Sequence, residues 1–184
     1  MSWALTRAVI CHGVPTDMTV SKDQNVSGSV NADCIAAYPT NERWKCFMAQ
    51  YTLPYIKTPT FIVNSFYDAW QSGAILHAPG QCYPAPCAKP NASGCPAQAV
   101  GAIENMRKDM VGNQSAGSNA QSSAFLYACH THCGQFAHDD RWNKLAVGGV
   151  TLREAFTEWL LHGKGSGQPH VDCDGLGCNP TCCT

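Results

Sequence analysis

The sequence has few charged residues, no long apolar run and no Gly-x-Ser-x-Gly motif. Charged residues make up 14% of the 184 residues, and 12 Lys and Arg nearly balance 13 Asp and Glu. A net charge of −1 gives no electrostatic attraction to nucleic acid or to an anionic membrane, so we expect neither as a partner. No apolar run reaches the length of a membrane span. Hydrophobic residues still make up 45% of the chain, which predicts a folded domain with a real core.

Cysteine, in contrast, is abundant. Twelve cysteines in a chain of this size are typical of disulfides formed in an oxidising compartment. The spacing predicts a local bridge between Cys34 and Cys46, and small loops closed by Cys82 with Cys87 and by Cys178 with Cys182. The candidate disulfide cysteines are Cys34, Cys46, Cys82, Cys87, Cys95, Cys129, Cys133, Cys173, Cys178 and Cys182.

Three N-glycosylation sequons agree with passage through a secretory pathway. They begin at Asn25, Asn91 and Asn113, and each is predicted to lie in a loop. The amino terminus is nevertheless a poor signal peptide, because Arg7 interrupts its apolar stretch and no small-residue cleavage site follows. We therefore expect a secreted, extracellular or cell-wall protein whose true amino end lies elsewhere.

Two short runs of β-branched and aromatic residues are predicted to be strands. They are Thr60–Phe66, which follows Pro59, and Ser123–Tyr127. A helix is predicted from about Ala97 to Val111, where Gly112 would end it. Alternation of strands and helices favours an α/β fold with a parallel sheet.

The clearest helix of the sequence follows Thr151. Thr151-x-x-Glu154 is a capping box, in which each side chain bonds the backbone of the other residue. Leu152, Ala155, Phe156, Trp159 and Leu160 then form one apolar stripe at helical spacing. Beyond Gly163, glycine, proline and cysteine dominate, which predicts a disulfide-tied tail.

Chemically useful side chains follow both predicted strands. Asp68 comes directly after the first strand, and His132 comes shortly after the second. This is how α/β-hydrolase sheets present the last two members of a Ser…Asp…His triad, in which the acid orients the histidine and the histidine accepts the nucleophile's proton. Asp68 has a structural alternative, because an aspartate after a strand often caps the next helix.

The segment Cys129-His130-Thr131-His132-Cys133 has a rival interpretation as a metal site. Four possible ligands within five residues would, however, point alternately to opposite faces of an extended chain, which suits a tetrahedral zinc site poorly. We favour cysteines that stiffen the loop around one catalytic histidine, His132, with His130 as a neighbour. No metal and no cofactor are therefore predicted.

The nucleophile of such a triad is not found in these residues. The nearest imitation of the motif is Gln114-Ser115-Ala116-Gly117, but Asn113 occupies the first glycine position. Ser115 also falls between Asp68 and His132, which is the wrong chain order for this fold. We expect the chain to be truncated before the nucleophile and inactive alone.

From about Cys34 onward, the sequence resembles the pectin acetylesterase family of plant-type pectin acetylesterases and Notum-like carboxylesterases. The matching segments are Trp44-Lys-Cys-Phe47, Gln50-Tyr-Thr-Leu-Pro-Tyr-Ile-Lys-Thr-Pro59, Phe61-Ile62, Asn64, Tyr67-Asp68-Ala-Trp-Gln71, Arg107-Lys-Asp-Met110, Ala128-Cys129, His132-Cys133 and Cys178-Asn-Pro-Thr-Cys182. Several ordered segments over roughly four-fifths of the chain make this resemblance specific.

The resemblance implies an α/β-hydrolase-like, three-layer fold, here the distal part of the sheet with a disulfide-rich tail. It divides the chain into a poorly defined segment, 1–33, and the C-terminal portion of the esterase-like domain, 34–184. It also implies a carboxylic ester hydrolase that removes acetyl groups from pectin or a related polysaccharide. Asp68 and His132 fall on the family's acid and histidine, whereas its serine elbow has no match here.

Two other functions remain open from the sequence. A non-catalytic secreted pseudoenzyme or carbohydrate-binding remnant would explain the missing serine, and a Cys/His metal-binding module would explain the dense ligand cluster.

We expect three residues to line a substrate cleft, namely Tyr67, Trp70 and His130. Core packing is, however, the ordinary role for aromatic side chains.

Overall fold

The computed structural model describes residues 26–82, 94–117, 122–132, 140–162 and 169–183. These ranges contain five α-helices, which are α1 (Ala32–Ala37), α2 (Ala49–Thr52), α3 (Ala97–Gly117), α4 (Arg141–Lys144) and α5 (Leu152–His162). The strands are β1 (Phe61–Ser65), β2 (Ser123–Tyr127), β3 (Ala146–Val147), β4 (Val150–Thr151) and β5 (His170–Val171). Within the described ranges, no helix is both long and apolar enough to cross a membrane.

The sheet that carries the site has three parallel strands in the order β1-β2-β5. Phe61 lies opposite Ser123, and Phe125 lies opposite His170. Both predicted strands are confirmed, and the tail contributes β5, which the sequence did not predict. A separate antiparallel hairpin, β3 and β4, leads into α5.

β2 is buried along its whole length because helices cover both faces of the sheet. Alternate side chains of a strand point to opposite faces. Ala124 and Leu126 pack in a cluster with Ile103 and Met110 of α3. Phe125 and Tyr127 pack in a second cluster, which contains the buried residues of α5. The result is the predicted three-layer α/β arrangement.

α3 differs from its predicted extent. It runs to Gly117, so the prediction that Gly112 ends it is wrong. Asn113 therefore lies in a helix rather than in the predicted loop, whereas Asn25 and Asn91 lie outside the described residues. A Cβ built at Gly112 has no other atom within 4 Å, so the helix does not need a glycine at this position to avoid a clash.

The capping box of α5 is confirmed. Glu154 Oε2 accepts from the backbone N–H of Thr151 at 2.8 Å, and Thr151 Oγ1 accepts from the N–H of Glu154 at 3.2 Å. Leu152, Ala155 and Trp159 are buried against β2, with Phe156 partly buried beside them. Leu160, which we predicted to belong to this stripe, is exposed, because it lies at the edge of the buried face.

Four disulfides join described cysteines. Cys34–Cys46 is confirmed, within residues that form short helical turns rather than the predicted loop. The other three are Cys82–Cys95, Cys129–Cys182 and Cys173–Cys178. The predicted small loops Cys82–Cys87 and Cys178–Cys182 are therefore wrong, because the fold brings more distant cysteines together. Cys87 and Cys133 lie outside the described residues.

Candidate functional site

The carboxyl ends of β1 and β2 bring Asp68 and His132 into contact. His132 Nδ1 lies 2.8 Å from Asp68 Oδ2 and 3.0 Å from Asp68 Oδ1. The two segments that leave the strands are also joined by a backbone hydrogen bond from Ala69 N–H to the carbonyl of Thr131, at 3.3 Å. Parallel pairing of adjacent strands thus brings together two residues that are 64 positions apart.

Asp68 is buried, whereas His132 reaches solvent. The side chain of Asp68 is 1% exposed and that of His132 is 33% exposed. A carboxylate that accepts from Nδ1–H holds the proton on that nitrogen and leaves the lone pair on Nε2. The pair therefore has the geometry of an oriented general base, with its acid shielded from water and its ring accessible.

Asp68 has a second role, which the capping alternative anticipated. Its Oδ1 accepts from the backbone N–H of Gln71 at 2.9 Å, three residues along the helical turn that follows β1. An acceptor at this position satisfies an otherwise unpaired donor at the start of a helix. One carboxylate therefore caps the turn and orients His132, so the two interpretations are not exclusive.

His130 lies on the other side of the same turn. Its Nε2 is 3.2 Å from Ser72 Oγ, and Ser72 is fully buried. Ser72 Oγ also bonds the carbonyl of Asp68 at 2.9 Å, as serines inside helices commonly do. Ser72 is thus committed to the helix backbone rather than exposed as an attacking nucleophile. Burial lowers the pKa of His130, an effect that the charge of Asp68 partly opposes.

Several contacts fix the loop that carries His132. Ser65 Oγ donates to the carbonyl of Cys129, and Cys129 is bonded to Cys182 of the tail. Asp172, directly after β5, accepts from Ala128 N–H at 2.9 Å. The loop between β2 and His132 is therefore held from both neighbouring strands and from the tail.

The residues predicted to line a cleft separate into exposed and buried ones. Trp70 is 45% exposed, and its ring centroid is 6.0 Å from that of His132 with 35° between the planes. Tyr67 is fully buried, and its hydroxyl donates to Glu104 Oε1 at 3.1 Å. The prediction that Tyr67 faces a substrate is therefore corrected: burial and Glu104 raise the pKa of its hydroxyl, and its ring belongs to the core.

A disulfide changes the interpretation of the Cys/His segment. The sulfur of Cys129 is bonded to that of Cys182 and is not a thiolate ligand. In the ranges that the structure describes, no three His, Cys, Asp or Glu side chains group as metal ligands. The contact of His132 with Asp68 further commits Nδ1 to a carboxylate.

Sequence reasoning missed Ser72 and Asp172. Asp172 follows a strand directly, the same signal that identified Asp68, but its two-residue strand is too short to recognise from a pattern. Ser72 follows Asp68 at helical spacing, yet no sequence signal indicates that His130 would face it. Gln71, which directly precedes Ser72, is fully buried, and neither atom of its side-chain amide has a hydrogen-bond partner among the described residues.

Comparison with known proteins places the whole described region in one family. Residues 15–183 match the family described as Pectinacetylesterase. Among curated relatives, pectin acetylesterase 7 of Arabidopsis thaliana is 29% identical over 150 residues, covering 74% of this chain and 36% of the relative. Pectin acetylesterase 5 of the same plant is 29% identical over 169 residues, covering 86% and 37%.

A solved structure shares the fold. The Wnt deacylase Notum from Drosophila superposes with a TM-score of 0.59 at 23% sequence identity, over 83% of this chain and 38% of that one. At this identity the likeness establishes the α/β-hydrolase fold alone. The chain spans little more than a third of the length of the curated relatives and of Notum.

Proposed function

Because the chain belongs to the pectin acetylesterase family, we propose that it supplies the acid and the base of a serine carboxylic ester hydrolase. The observation that carries the proposal is the 2.8 Å contact between Asp68 and His132 at adjacent strand ends. In this role His132 takes the proton of an attacking serine, and Asp68 stabilises the imidazolium that forms. His132 then gives the proton to the leaving alcohol.

The attacking oxygen comes from outside these 184 residues. Its attack on the ester carbonyl forms an acyl-enzyme and releases the alcohol, and water then hydrolyses the acyl group by the same base. The lack of a Gly-x-Ser-x-Gly motif in the sequence and the commitment of Ser72 to the helix backbone support this division. Alone, the chain would lack the attacking oxygen and would form no acyl-enzyme.

An acetyl ester on a plant-type polysaccharide is the proposed substrate. The names of the relatives supply the substrate class, since they are pectin acetylesterases. The four disulfides among described cysteines support a secreted or cell-wall protein, because such bonds persist in oxidising compartments.

The test uses the longest natural product that contains this sequence, secreted from a eukaryotic host. Release of acetate from acetylated pectin and of p-nitrophenol from p-nitrophenyl acetate are measured for the parent, His132→Ala and the exposed control His162→Ala. We expect His132→Ala to lower kcat by about 10³-fold or more, since the general base is lost. The control should retain the parent rate.

Labelling with a fluorophosphonate, followed by peptide mapping, identifies the nucleophile. A labelled serine within residues 1–184 would contradict the division of the triad proposed here. Hydrolysis of neither ester by the longest product would refute the esterase assignment and favour the second candidate, a secreted pseudoenzyme that retains only binding. The missing nucleophile motif is the observation that favours this alternative.

A further inference from the structure

Trp70 is an exposed aromatic side chain beside His132, the candidate general base. Tryptophan carries the largest apolar surface of any side chain and is strongly buried on average. Trp70 is nevertheless 45% exposed, whereas Trp159 of α5 is only 9% exposed. Exposure alone does not distinguish Trp70, since Phe47 is 49% exposed, but Trp70 lies against the ring of His132.

The position of this indole is fixed by the same turn that holds the acid. Trp70 lies two residues after Asp68, and the next residue donates its backbone N–H to Asp68 Oδ1. Its ring centroid is 6.0 Å from the His132 ring, with 35° between the two planes. Since His132 itself is 33% exposed, a partly accessible imidazole and a partly accessible indole lie side by side. A molecule whose ester reaches the imidazole, and which extends toward Trp70, would therefore meet the indole.

The shape of that surface indicates which part of a substrate it meets. Pockets for apolar chains enclose most of the surface of their ligand between several walls, whereas the 45% exposure of Trp70 indicates an open face. A flat, half-exposed indole instead suits a flat ligand face, because aromatic rings gain most from face-to-face or offset contact. The apolar C–H face of a pyranose ring has this shape, and an acetyl group is too small to cover an indole.

We propose that Trp70 is the stacking platform for a pyranose ring of an acylated carbohydrate, and so selects glycan esters over simple esters. The proposal rests on the proposed function, because the acetyl group carried by that sugar, or by its neighbour, would lie at His132. Trp70 then contributes to binding the alcohol part of the ester and leaves the acyl part unselected.

The experiment compares parent, Trp70→Ala and Trp70→Phe in the longest natural product that contains this sequence. Phe47→Ala is the matched control, because Phe47 is 49% exposed in the separate helical segment Thr40–Phe47. Binding of a galacturonic acid tetrasaccharide, the deacetylated product, is measured by calorimetry and by saturation-transfer NMR from the indole protons. Hydrolysis of p-nitrophenyl acetate, butyrate and octanoate and of the acetylated tetrasaccharide is measured in parallel.

We expect Trp70→Ala to weaken binding of the deacetylated tetrasaccharide and to raise the KM for the acetylated tetrasaccharide, each about tenfold. Trp70→Phe should lie between Trp70→Ala and the parent. Any change that Trp70→Ala makes in the kinetics of p-nitrophenyl acetate should be smaller than its effect on the tetrasaccharide, and Phe47→Ala should behave as the parent does. Saturation transfer from the indole to sugar ring protons in the parent is expected even if Trp70→Ala folds poorly.

Three results would overturn the proposal. The first is binding of the tetrasaccharide that is absent or does not depend on Trp70. The second is a loss of activity in Trp70→Ala that grows with the acyl chain length of the p-nitrophenyl ester. The third is an equal fall of kcat on every ester, which would mean that the indole acts on His132. Failure of the proposed function is distinguishable from failure of this inference. If no ester is hydrolysed but sugar binding depends on Trp70, the platform stands without the esterase.

Discussion

Replacing Asp68 with asparagine should separate the two roles of this carboxylate. The amide oxygen of asparagine can still accept from Gln71 N–H, because asparagine and aspartate are equally good helix caps. Its NH₂ group, however, would face His132 Nδ1, where the carboxylate oxygen Oδ2 now lies at 2.8 Å. The imidazole must then accept at Nδ1 and carry its proton on Nε2, so Nε2 can no longer take a proton.

The expected magnitudes follow from these contacts. Asp68→Asn should cost little stability, whereas Asp68→Ala should lose about 1 kcal/mol for the missing cap. Catalysis in the longest natural product should fall about 10⁴-fold for Asp68→Asn, as it does when the triad aspartate of serine proteases is replaced by asparagine. That factor corresponds to about 5.4 kcal/mol of transition-state stabilisation.

Two measurements test this reasoning. Long-range ¹H–¹⁵N correlation NMR reports which nitrogen of His132 is protonated and needs no catalytic activity. The free energy of unfolding in urea shows whether the helix cap is lost. Asp174→Asn is the control, because Asp174 is 78% exposed in its ion pair with Arg107. A parent-like tautomer and parent-like kinetics in Asp68→Asn would refute the acid–base assignment. Equal stability of Asp68→Asn and Asp68→Ala would refute the capping role.

The remaining predictions concern a helix cap and a buried histidine. Thr151→Ala should lower the free energy of unfolding by about 1 kcal/mol, because it removes the cap of α5. Thr157→Ala changes an exposed position within the same helix and should not lower it. Equal losses of the two variants in urea unfolding would contradict this reasoning. The lowered pKa of His130 means that the unfolded chain binds a proton first as the pH falls through about 6.5. The contribution that the buried, neutral ring of His130 makes to stability is complete above that pH and is lost below it. His130→Gln should therefore reduce the fall in Tm between about pH 7 and pH 5. A fall in Tm that His130→Gln leaves intact would show that burial of this ring is not the cause. His170, whose pKa burial also lowers, should account for part of the remaining slope.

Local pattern was sufficient to predict the elements of the fold that carry strong periodicity. β2 was predicted with its observed bounds, because five consecutive buried residues between polar loops have few alternatives. The capping box of α5 was predicted because its two partners are only three residues apart. The extension of α3 beyond Gly112 was not predicted, since tertiary packing of Met110 and its neighbours outweighs a single unfavourable glycine.

Half of the candidate site was also predictable. Asp68 and His132 were identified because side chains that follow parallel strands meet at one edge of the sheet. Their catalytic roles remain a proposal, as does the substrate-facing role of Trp70. Tyr67 was wrongly expected to line a substrate cleft, because a tyrosine next to Asp68 in the sequence gives no indication of which way its ring turns.

The amino-acid sequence by itself determined β1, β2, the capped helix α5, the family and the two polar residues at the strand ends, because each depends on spacing within a short segment. Only the tertiary structure decided that Cys129 pairs with Cys182, that Ser72 meets His130, and that Asp172 holds the backbone at Ala128. These contacts join residues 44 to 58 positions apart. The entropy of closing such loops changes only slowly with their length, so spacing selects no partner, and the choice falls to the packing of the strands and the tail.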